Sequence, residues 1–283
     1  MTAGSPGDRG IAIDLAGVRF QYAGSRSWAL DGVDVSIRQG EIVGLVGPND
    51  AGKSTVCLVA AGLAPNVTGG RLEGIATLVG QPTTSLSPSA AARLCGILFQ
   101  QPLSQLSGTA VTVWEEIAFG PRNLGLPLDE IADRVQEALT VLRIDHLAPR
   151  DPGRLSGGQG QLVALASVLA LRPTALILDE PTSQLDPAGT RLVGEALRAL
   201  AAAGTSLLIA EHKTDLLDGL CTRIVVIVGG RIVRNGPTDE VFEDSHLRGL
   251  GVEPPARVRL TRALAERGVD RDVVTAAVRE ATT

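Results

Sequence analysis

The sequence is poor in aromatic residues, in positive charge and in long apolar runs. Aromatic residues make up 2% of its 283 residues and the net charge is −5. These values argue against base-stacking platforms and a broad basic surface, so we expect no nucleic-acid partner. The longest apolar run, residues 162–171, is too short to cross a bilayer, which takes about 20 residues. Residues 1–10 are polar, lack the apolar segment of a signal peptide and are predicted to be disordered.

Cysteine is scarce as well. Cys57, Cys95 and Cys221 are odd in number, lie in apolar stretches and lack the spacing of a metal site. We therefore expect buried, reduced thiols, as in proteins of reducing compartments. Because neither a leader nor a membrane span is predicted, we expect a soluble intracellular protein whose membrane role, if it has one, comes through partners.

What the sequence does contain is a phosphate-binding motif, G-x-x-x-x-G-K-[ST], between a predicted strand at residues 41–46 and an apolar helix at residues 56–63. The loop amides and the helix N-terminus would face phosphate oxygens. Lys53 would reach the β- and γ-phosphates, and Ser54 would bind Mg²⁺. The alternative, a glycine-rich turn before a core helix, leaves the lysine and the hydroxyl unexplained. The predicted nucleotide contacts of this loop are Gly47, Pro48, Asn49, Asp50, Ala51, Gly52, Lys53, Ser54 and Thr55.

Two acidic residues follow a compact apolar strand predicted at residues 174–178. A carboxylate at a strand end fits the water shell of Mg²⁺, and we assign this role to Asp179. The next residue, Glu180, would orient or deprotonate a water that attacks the γ-phosphate. The alternative is a pair of surface-turn acids, which is a poor choice after a buried strand unless a cation is bound.

Two further polar residues end apolar strands, Gln100 after residues 95–99 and His212 after residues 206–210. Open α/β sheets bind ligands at the carboxyl ends of their strands. Gln100 could hold the metal or the attacking water, and His212 could donate to a γ-phosphate oxygen. The alternatives are a turn residue before a proline for Gln100 and a solvated turn histidine for His212.

A second helix start carries small and polar residues. Ser156, Gly157, Gly158 and Gln159 precede an apolar helix predicted at residues 160–171. A hydroxyl and free amides at a helix N-terminus make an anion-binding site. Two such sites in one chain suggest that two chains share each nucleotide. The alternative is an ordinary N-cap and turn.

Strands predicted at residues 11–20 and 29–37 form an antiparallel edge ahead of the strand–loop–helix unit. Tyr22, the only tyrosine, follows the first of them and could stack on a purine or be an ordinary surface aromatic. Residues 103–153 predict helices, at 112–119 and 128–142, and no strands. A glycine pair, Gly229 and Gly230, predicts a late hairpin. After Pro254 and Pro255, helices are predicted at 257–267 and 270–281.

Together these motifs resemble the ATPase subunits of ABC transporters, over roughly residues 11–245. The loop from Gly47 matches the Walker A motif, Gln100 matches the Q-loop, and residues 155–159 match the LSGGQ signature. Asp179 matches the Walker B aspartate, Glu180 matches the catalytic base, and His212 matches the switch histidine. Residues 183–186 match the D-loop, so Asp186 joins the nucleotide contacts, and Tyr22 matches the A-loop aromatic.

The resemblance implies an α/β P-loop NTPase fold with a mixed sheet core, an antiparallel β edge and an inserted helical subdomain. The implied organisation is an ATP-binding domain at residues 11–246, with the helical subdomain at about 103–157, followed by a helical extension at 247–283. Glu180, His212 and Lys53 would be catalytic, and Ser54, Gln100 and Asp179 would bind Mg²⁺.

The implied cofactors are ATP and Mg²⁺, and the implied partners are a second ATPase subunit, identical or paralogous, a transmembrane transporter subunit and a substrate-binding membrane subunit. The chain would be cytoplasmic and peripheral on the inner face of the cell membrane. Residues 99–106 and 113–127 resemble the energy-coupling factor (ECF) ATPases, which power uptake of vitamins, cobalt or nickel. The alternatives are a non-transport ABC ATPase and a weakly hydrolysing regulatory subunit.

Three residues depart from the family pattern. Asp50 replaces a glycine of the phosphate loop; aspartate tolerates a left-handed backbone but brings negative charge towards the phosphates. Gly160 and Leu162 replace polar, usually basic residues after the signature. None of the three replaces a residue with a predicted chemical role.

Overall fold

The computed structural model describes residues 10–268. The strands are β1 (Ile11–Gln21), β2 (Leu30–Arg38), β3 (Ile42–Val46), β4 (Arg71–Leu78), β5 (Gln81–Pro82), β6 (Cys95–Leu98), β7 (Ala175–Asp179), β8 (Ser206–Ala210), β9 (Arg223–Val228) and β10 (Arg231–Pro237). The helices are α1 (Lys53–Ala60), α2 (Pro88–Leu94), α3 (Val113–Asn123), α4 (Leu128–Val141), α5 (Gly157–Leu169), α6 (Pro187–Ala202), α7 (Thr214–Asp218), α8 (Thr238–Phe242) and α9 (Ala256–Glu266).

A central six-stranded sheet has the order β10-β9-β3-β8-β7-β6. Neighbours from β9 to β6 pair in parallel, and β10 is antiparallel at one edge. Every residue of β3, β7 and β8 is buried, as expected for parallel strands covered on both faces. Since parallel strands run in one direction, the segments after β3, β6, β7 and β8 all leave the sheet along the edge formed by the carboxyl ends of these strands.

The antiparallel strands form a second sheet, with the order β2-β1-β4-β5. In β2 the side chains alternate, so that Val33, Val35 and Ile37 are buried while their neighbours are not. This apolar face packs in one hydrophobic cluster with α1 and one face of the central sheet. The predicted mixed sheet with antiparallel strands is therefore confirmed, and the antiparallel part is a sheet of its own.

The stretch between β6 and β7 is helical. Thr112 begins α3 with a capping box to Glu115, which satisfies amides that a helix start leaves free. In α4, which corresponds to the helix predicted at 128–142, Ile131, Val135 and Leu139 are buried on one face. The boundary predicted for a helical subdomain, about 103–157, stays a prediction.

Three helix starts differ from the prediction. α1 begins at Lys53 and α5 at Gly157, earlier than residues 56 and 160, because the glycine-rich turns lead directly into helical backbone. α2 was not predicted, although Ser87 accepts a hydrogen bond from the amide of Ala90 and is followed by proline, which together mark a helix start.

Residues 247–268 pack back onto the core. Thr214 and Asp215 of α7 hold the segment before α9: the Thr214 hydroxyl donates to the Glu253 carbonyl at 2.8 Å, and the Asp215 carboxylate accepts from the Ala256 amide. Arg257 donates twice to Asp218, at 2.9 Å each. The helix predicted at 257–267 corresponds to α9. The helix predicted at 270–281 lies outside the described residues, as does the disorder predicted for residues 1–10 apart from Gly10, whose carbonyl accepts from the Gln39 amide at 2.9 Å.

The three cysteines are buried and free, as predicted. Burial raises the pKa of the Cys95 thiol to about 12. Within residues 10–268, no helix combines the length and the apolar character that crossing a membrane requires.

Candidate active site

The phosphate-binding loop connects β3 to α1 and needs its glycines. A Cβ on Gly47 would lie 2.1 Å from the Ile227 carbonyl oxygen, and one on Gly52 would lie 2.9 Å from the Ala29 carbonyl oxygen. Asp50 has φ 58° and Gly52 has φ 106°, so Asp50 adopts the left-handed backbone that aspartate tolerates. Gly52 is the N-cap of α1 and has no side chain with which to bond the first-turn amides. Those amides are left for an anion.

Lys53 is buried beside this loop, and its ammonium donates to the carbonyls of Gly47 and Pro48, both at 2.9 Å. Burial lowers the pKa of Lys53, against the opposing effect of Glu180 and Asp179 nearby. The cation is thus held inside the loop, where it faces both acids. Peptide carbonyls are neutral partners that an anionic phosphate oxygen can replace.

Three predicted metal ligands, Ser54, Gln100 and Asp179, line one cavity of about 180 Å³. Burial raises the pKa of the Asp179 carboxyl, and a hydrogen bond with Ser54 opposes that shift. Hydroxyl, amide and carboxylate oxygens are hard donors, and Mg²⁺ is commonly bound by one carboxylate together with substrate phosphates. Residues 10–268 contain no cluster of three or more His, Cys, Asp or Glu side chains that could hold a metal, so this mixed set is the one that fits Mg²⁺.

Glu180 and His212 are in contact, with 3.2 Å between the glutamate Oε1 and the histidine Nε2. Glu180 has φ 53°, which is unfavourable for a residue other than glycine. Its amide donates to the Ala210 carbonyl at 2.8 Å, which ties the end of β7 to the end of β8. A strained backbone persists only where its surroundings hold it, so the Glu180 carboxylate has a fixed direction beside His212.

Next along the chain is a polar network around two buried side chains, Glu211 and Thr182, that the sequence analysis missed. The Glu211 carboxylate accepts from the Lys213 amide at 3.2 Å and from the Thr182 hydroxyl at 3.3 Å. The Lys213 ammonium donates to the Thr182 carbonyl at 2.8 Å, and burial raises the pKa of Glu211. The signal in the sequence was the acid directly after β8, which we passed over in favour of His212.

Tyr22 lies beside α1, since its hydroxyl is 3.1 Å from the Thr55 hydroxyl. Its ring meets Phe20 edge-on, with ring centroids 4.9 Å apart. The aromatic ring is thus next to the phosphate loop, although 33 residues separate Tyr22 from Thr55.

The second helix start is built as a capping box. The exposed Ser156 accepts from the Gln159 amide at 3.3 Å, and the Gln159 side chain accepts from the Ser156 amide at 3.1 Å. A Cβ on Gly157 would lie 2.3 Å from the Gln184 Oε1. Among residues 10–268, neither Ser156 nor Gln159 shares a hydrogen bond with the phosphate loop.

The D-loop aspartate and the two departures after the signature have structural roles. Asp186 caps α6 by accepting from the Gly189 amide at 2.7 Å. A Cβ on Gly160 would lie 2.3 Å from a methyl of Leu103, so glycine lets that leucine pack on α5. Leu162 is partly buried against the main hydrophobic cluster. The structure thus brings Lys53, Ser54, Gln100, Asp179, Glu180 and His212 together, and leaves Ser156, Gly157, Gly158, Gln159 and Asp186 outside that group.

Comparisons with known proteins agree on one family. A family model described as ABC transporter matches residues 30–183. The energy-coupling factor transporter ATP-binding protein EcfA of Methanosarcina acetivorans is 38% identical over 258 residues, 91% of each chain. The structure of CbiO1 of Clostridium perfringens, described as part of the ABC transporter complex cbiONQ, has a TM-score of 0.72 and 31% identity over 84% of this chain and 92% of its own. The cassette MJ0796, in a dimeric post-hydrolysis state with ADP and Pi, has a TM-score of 0.71 and 25% identity over 80% of this chain and 98% of its own.

Proposed function

The chain belongs to the ABC transporter family as an ATP-hydrolysing subunit, and from this premise we propose that it powers an ECF-type importer of a vitamin or a transition-metal ion. The observation that carries the proposal is one edge of the central sheet. There the phosphate loop, the Asp179 carboxylate and the Glu180–His212 pair meet at the ends of β3, β7 and β8.

The ECF assignment rests on the relatives. EcfA of Methanosarcina acetivorans matches along almost the whole chain, and CbiO1 is part of a named transporter complex. The stretches 99–106 and 113–127, which carry the ECF resemblance, include the segment after Gln100 and helix α3. The imported substrate contacts the membrane subunits, so it has no site in this chain.

In the proposed mechanism, ATP phosphates bind to the free amides at the start of α1, and Lys53 exchanges its two loop carbonyls for phosphate oxygens. Glu180 accepts a proton from the attacking water, and His212 holds the glutamate and donates to the γ-phosphate. Mg²⁺, when bound by Ser54, Gln100 and Asp179, would neutralise charge that develops on the phosphates. Tyr22 would stack on the adenine.

The exposed helix start supports a nucleotide shared by two chains. Ser156, Gly157 and Gly158 would bind the phosphates held by the second subunit, which is either identical or a paralogue. ATP binding would close the pair because both chains contact each nucleotide, and loss of the γ-phosphate would let it open. The cassette MJ0796, which is dimeric with ADP and Pi bound, supports the pairing of two chains.

Exposed apolar side chains lie in the helical segment. Leu103, Val111, Trp114 and Leu128 are between 36% and 80% exposed. Exposed apolar side chains gathered in one segment of the chain are a candidate interaction site. We propose that the transmembrane subunit docks on this segment, which would hold the chain on the cytoplasmic face of the membrane, and that a substrate-binding membrane subunit completes the complex.

The test is ATP hydrolysis by the purified chain over a protein-concentration series, wild type beside Glu180→Gln. Turnover should rise more steeply than protein concentration, and the variant should keep ATP binding but lose hydrolysis by a factor on the order of 10². Glu195→Gln, an exposed glutamate of α6, is the matched control and should behave as wild type. Near-wild-type turnover in Glu180→Gln would contradict the catalytic assignment.

The transport proposal needs a second experiment. The chain, affinity-tagged and expressed in its own cells, should co-purify with integral membrane proteins, and its deletion should abolish uptake of a labelled vitamin, cobalt or nickel. Recovery of the chain with soluble partners alone, together with unchanged uptake of all three, would point to a non-transport ABC ATPase.

A further inference from the structure

A buried glutamine joins the signature helix to the catalytic turn of the same chain. Gln161 lies one turn into α5 and is 1% exposed. Its side-chain NH₂ donates to the Glu180 carbonyl at 3.0 Å, and its side-chain oxygen accepts from the Gln184 amide at 3.0 Å. One side chain therefore satisfies backbone groups at both ends of the segment 180–184.

The Glu180 backbone needs such support. Its φ of 53° is unfavourable, and its two backbone polar groups are fixed from different sides. The amide is bonded to Ala210, and the carbonyl accepts from Gln161 and from the Ser183 amide at 3.2 Å. Removing Gln161 would therefore release one of the few contacts that set the direction of the Glu180 side chain.

The same segment lies directly against the signature. Beyond the approach of Gly157 to the Gln184 side chain, a Cβ on Gly158 would lie 3.2 Å from the Gln184 carbonyl oxygen. The first turn of α5 thus packs on the residue whose amide Gln161 binds. The signature and Gln161 therefore both contact the 180–184 segment. A displacement of the start of α5 would shift this segment and, with it, the backbone of Glu180.

We propose that Gln161 is a positioning residue that fixes Glu180 relative to the signature of its own chain. This inference rests on the proposed function, because it concerns two chains that share each nucleotide. In that arrangement the signature of a chain binds the nucleotide of the partner, whereas Glu180 acts on its own. Gln161 therefore links the partner's bound ATP to the carboxylate that hydrolyses this chain's ATP.

Dimers of two different protomers can distinguish an effect of Gln161 on the position of Glu180 from damage to the signature. A protomer with Glu180→Gln cannot hydrolyse ATP, but its signature still completes the site of a wild-type protomer. Gln161→Met is placed either in the hydrolysing protomer or in the inactive one. We expect about a tenfold loss of kcat in the first arrangement with an unchanged KM, and less than about a twofold loss in the second.

A purely structural role gives a different pattern. If Gln161→Met distorted the signature, hydrolysis would fall most when the change is in the inactive protomer, and this result, or no loss in either arrangement, would overturn the proposal. Ser167→Ala is the matched control on α5, because within residues 10–268 the Ser167 hydroxyl bonds only to the Val163 carbonyl of the same helix. If the wild-type homodimer itself failed to hydrolyse ATP, the pairing of identical chains in the proposed function would fail instead.

Amide hydrogen exchange tests the link without activity. In Gln161→Met the Gln184 amide should exchange faster, while the Gly189 amide, held by Asp186, should not change. Gln161→Leu, a second apolar replacement, also removes both the donor to Glu180 and the acceptor for Gln184, so it should slow hydrolysis and speed exchange of the Gln184 amide in the same way. It also covers the case in which the methionine variant does not fold. An unchanged Gln184 amide in Gln161→Met would overturn the proposal.

Discussion

Helices α1 and α5 both begin at a glycine-rich turn, and their first turns are completed in different ways. At α1 the N-cap is a glycine, and the surrounding chemistry, Lys53, Asp179 and Glu180, comes from the same chain and is partly or wholly buried. At α5 the N-cap is Ser156, which is exposed and bonded to Gln159. A start that keeps its amides free suits a ligand held in a closed site, whereas a capped and exposed start is stable by itself and available to another chain.

The largest change should come from Lys53→Ala. Lys53 is the cation that lies within the loop, and its removal would delete the partner that we propose for the β- and γ-phosphates. ATP binding, measured by calorimetry, should be lost, whereas Arg191→Ala on the exposed face of α6 should bind ATP as wild type does. Unchanged ATP affinity in Lys53→Ala would contradict the distinction between the two helix starts, because a buried cation would then make no difference to nucleotide binding at α1.

An intermediate effect is expected from Ser156→Ala. Hydrolysis should fall about tenfold because a donor to the shared nucleotide is lost, while ATP binding to the isolated chain should change little. Loss of the cap should also cost about 1 kcal/mol of folding free energy, which thermal unfolding can measure. Ser87→Ala, which removes the equivalent cap of α2, should lower stability similarly and leave hydrolysis intact. If Ser156→Ala and Ser87→Ala lose hydrolysis equally, the exposed start of α5 has no role in hydrolysis beyond that of an ordinary helix cap.

The smallest effect is expected at Asp50. Its carboxylate is exposed and close to the loop, so Asp50→Asn should tighten ATP binding by about threefold at low salt, and less at high salt. Asp50→Gly should do the same and also relieve the backbone at φ 58°. The difference between the two variants measures the backbone contribution. Weaker binding in both would show that the aspartate assists the loop.

The sequence was a good guide wherever a local pattern decides the structure. Apolar strands ending in polar residues predicted that Gln100, Asp179 and His212 would share one sheet edge, and the parallel order of β6, β7 and β8 has this consequence. Their chemical roles stay predictions, as does the domain division.

Contacts between segments that are distant in the sequence could not be predicted from local patterns. Gln161 is one of three polar side chains in a mostly apolar helix, with Gln159 and Ser167, and nothing local shows that its partners are the backbone groups of residues 180 and 184. Glu211 was overlooked for the same reason, since its partner Thr182 is 29 residues away. Such residues are recognisable only once the fold shows what a buried amide or carboxylate contacts.

The pairing of β3 also fixes the order in which the protein can assemble during synthesis. β3 leads into the phosphate loop and emerges early from the ribosome, but its sheet neighbours are β8 and β9, which are made late. Until then both edges of β3 carry unpaired backbone groups beside apolar side chains, a combination that promotes aggregation. The nucleotide site therefore cannot form before most of the chain, including β8 and β9, has been translated.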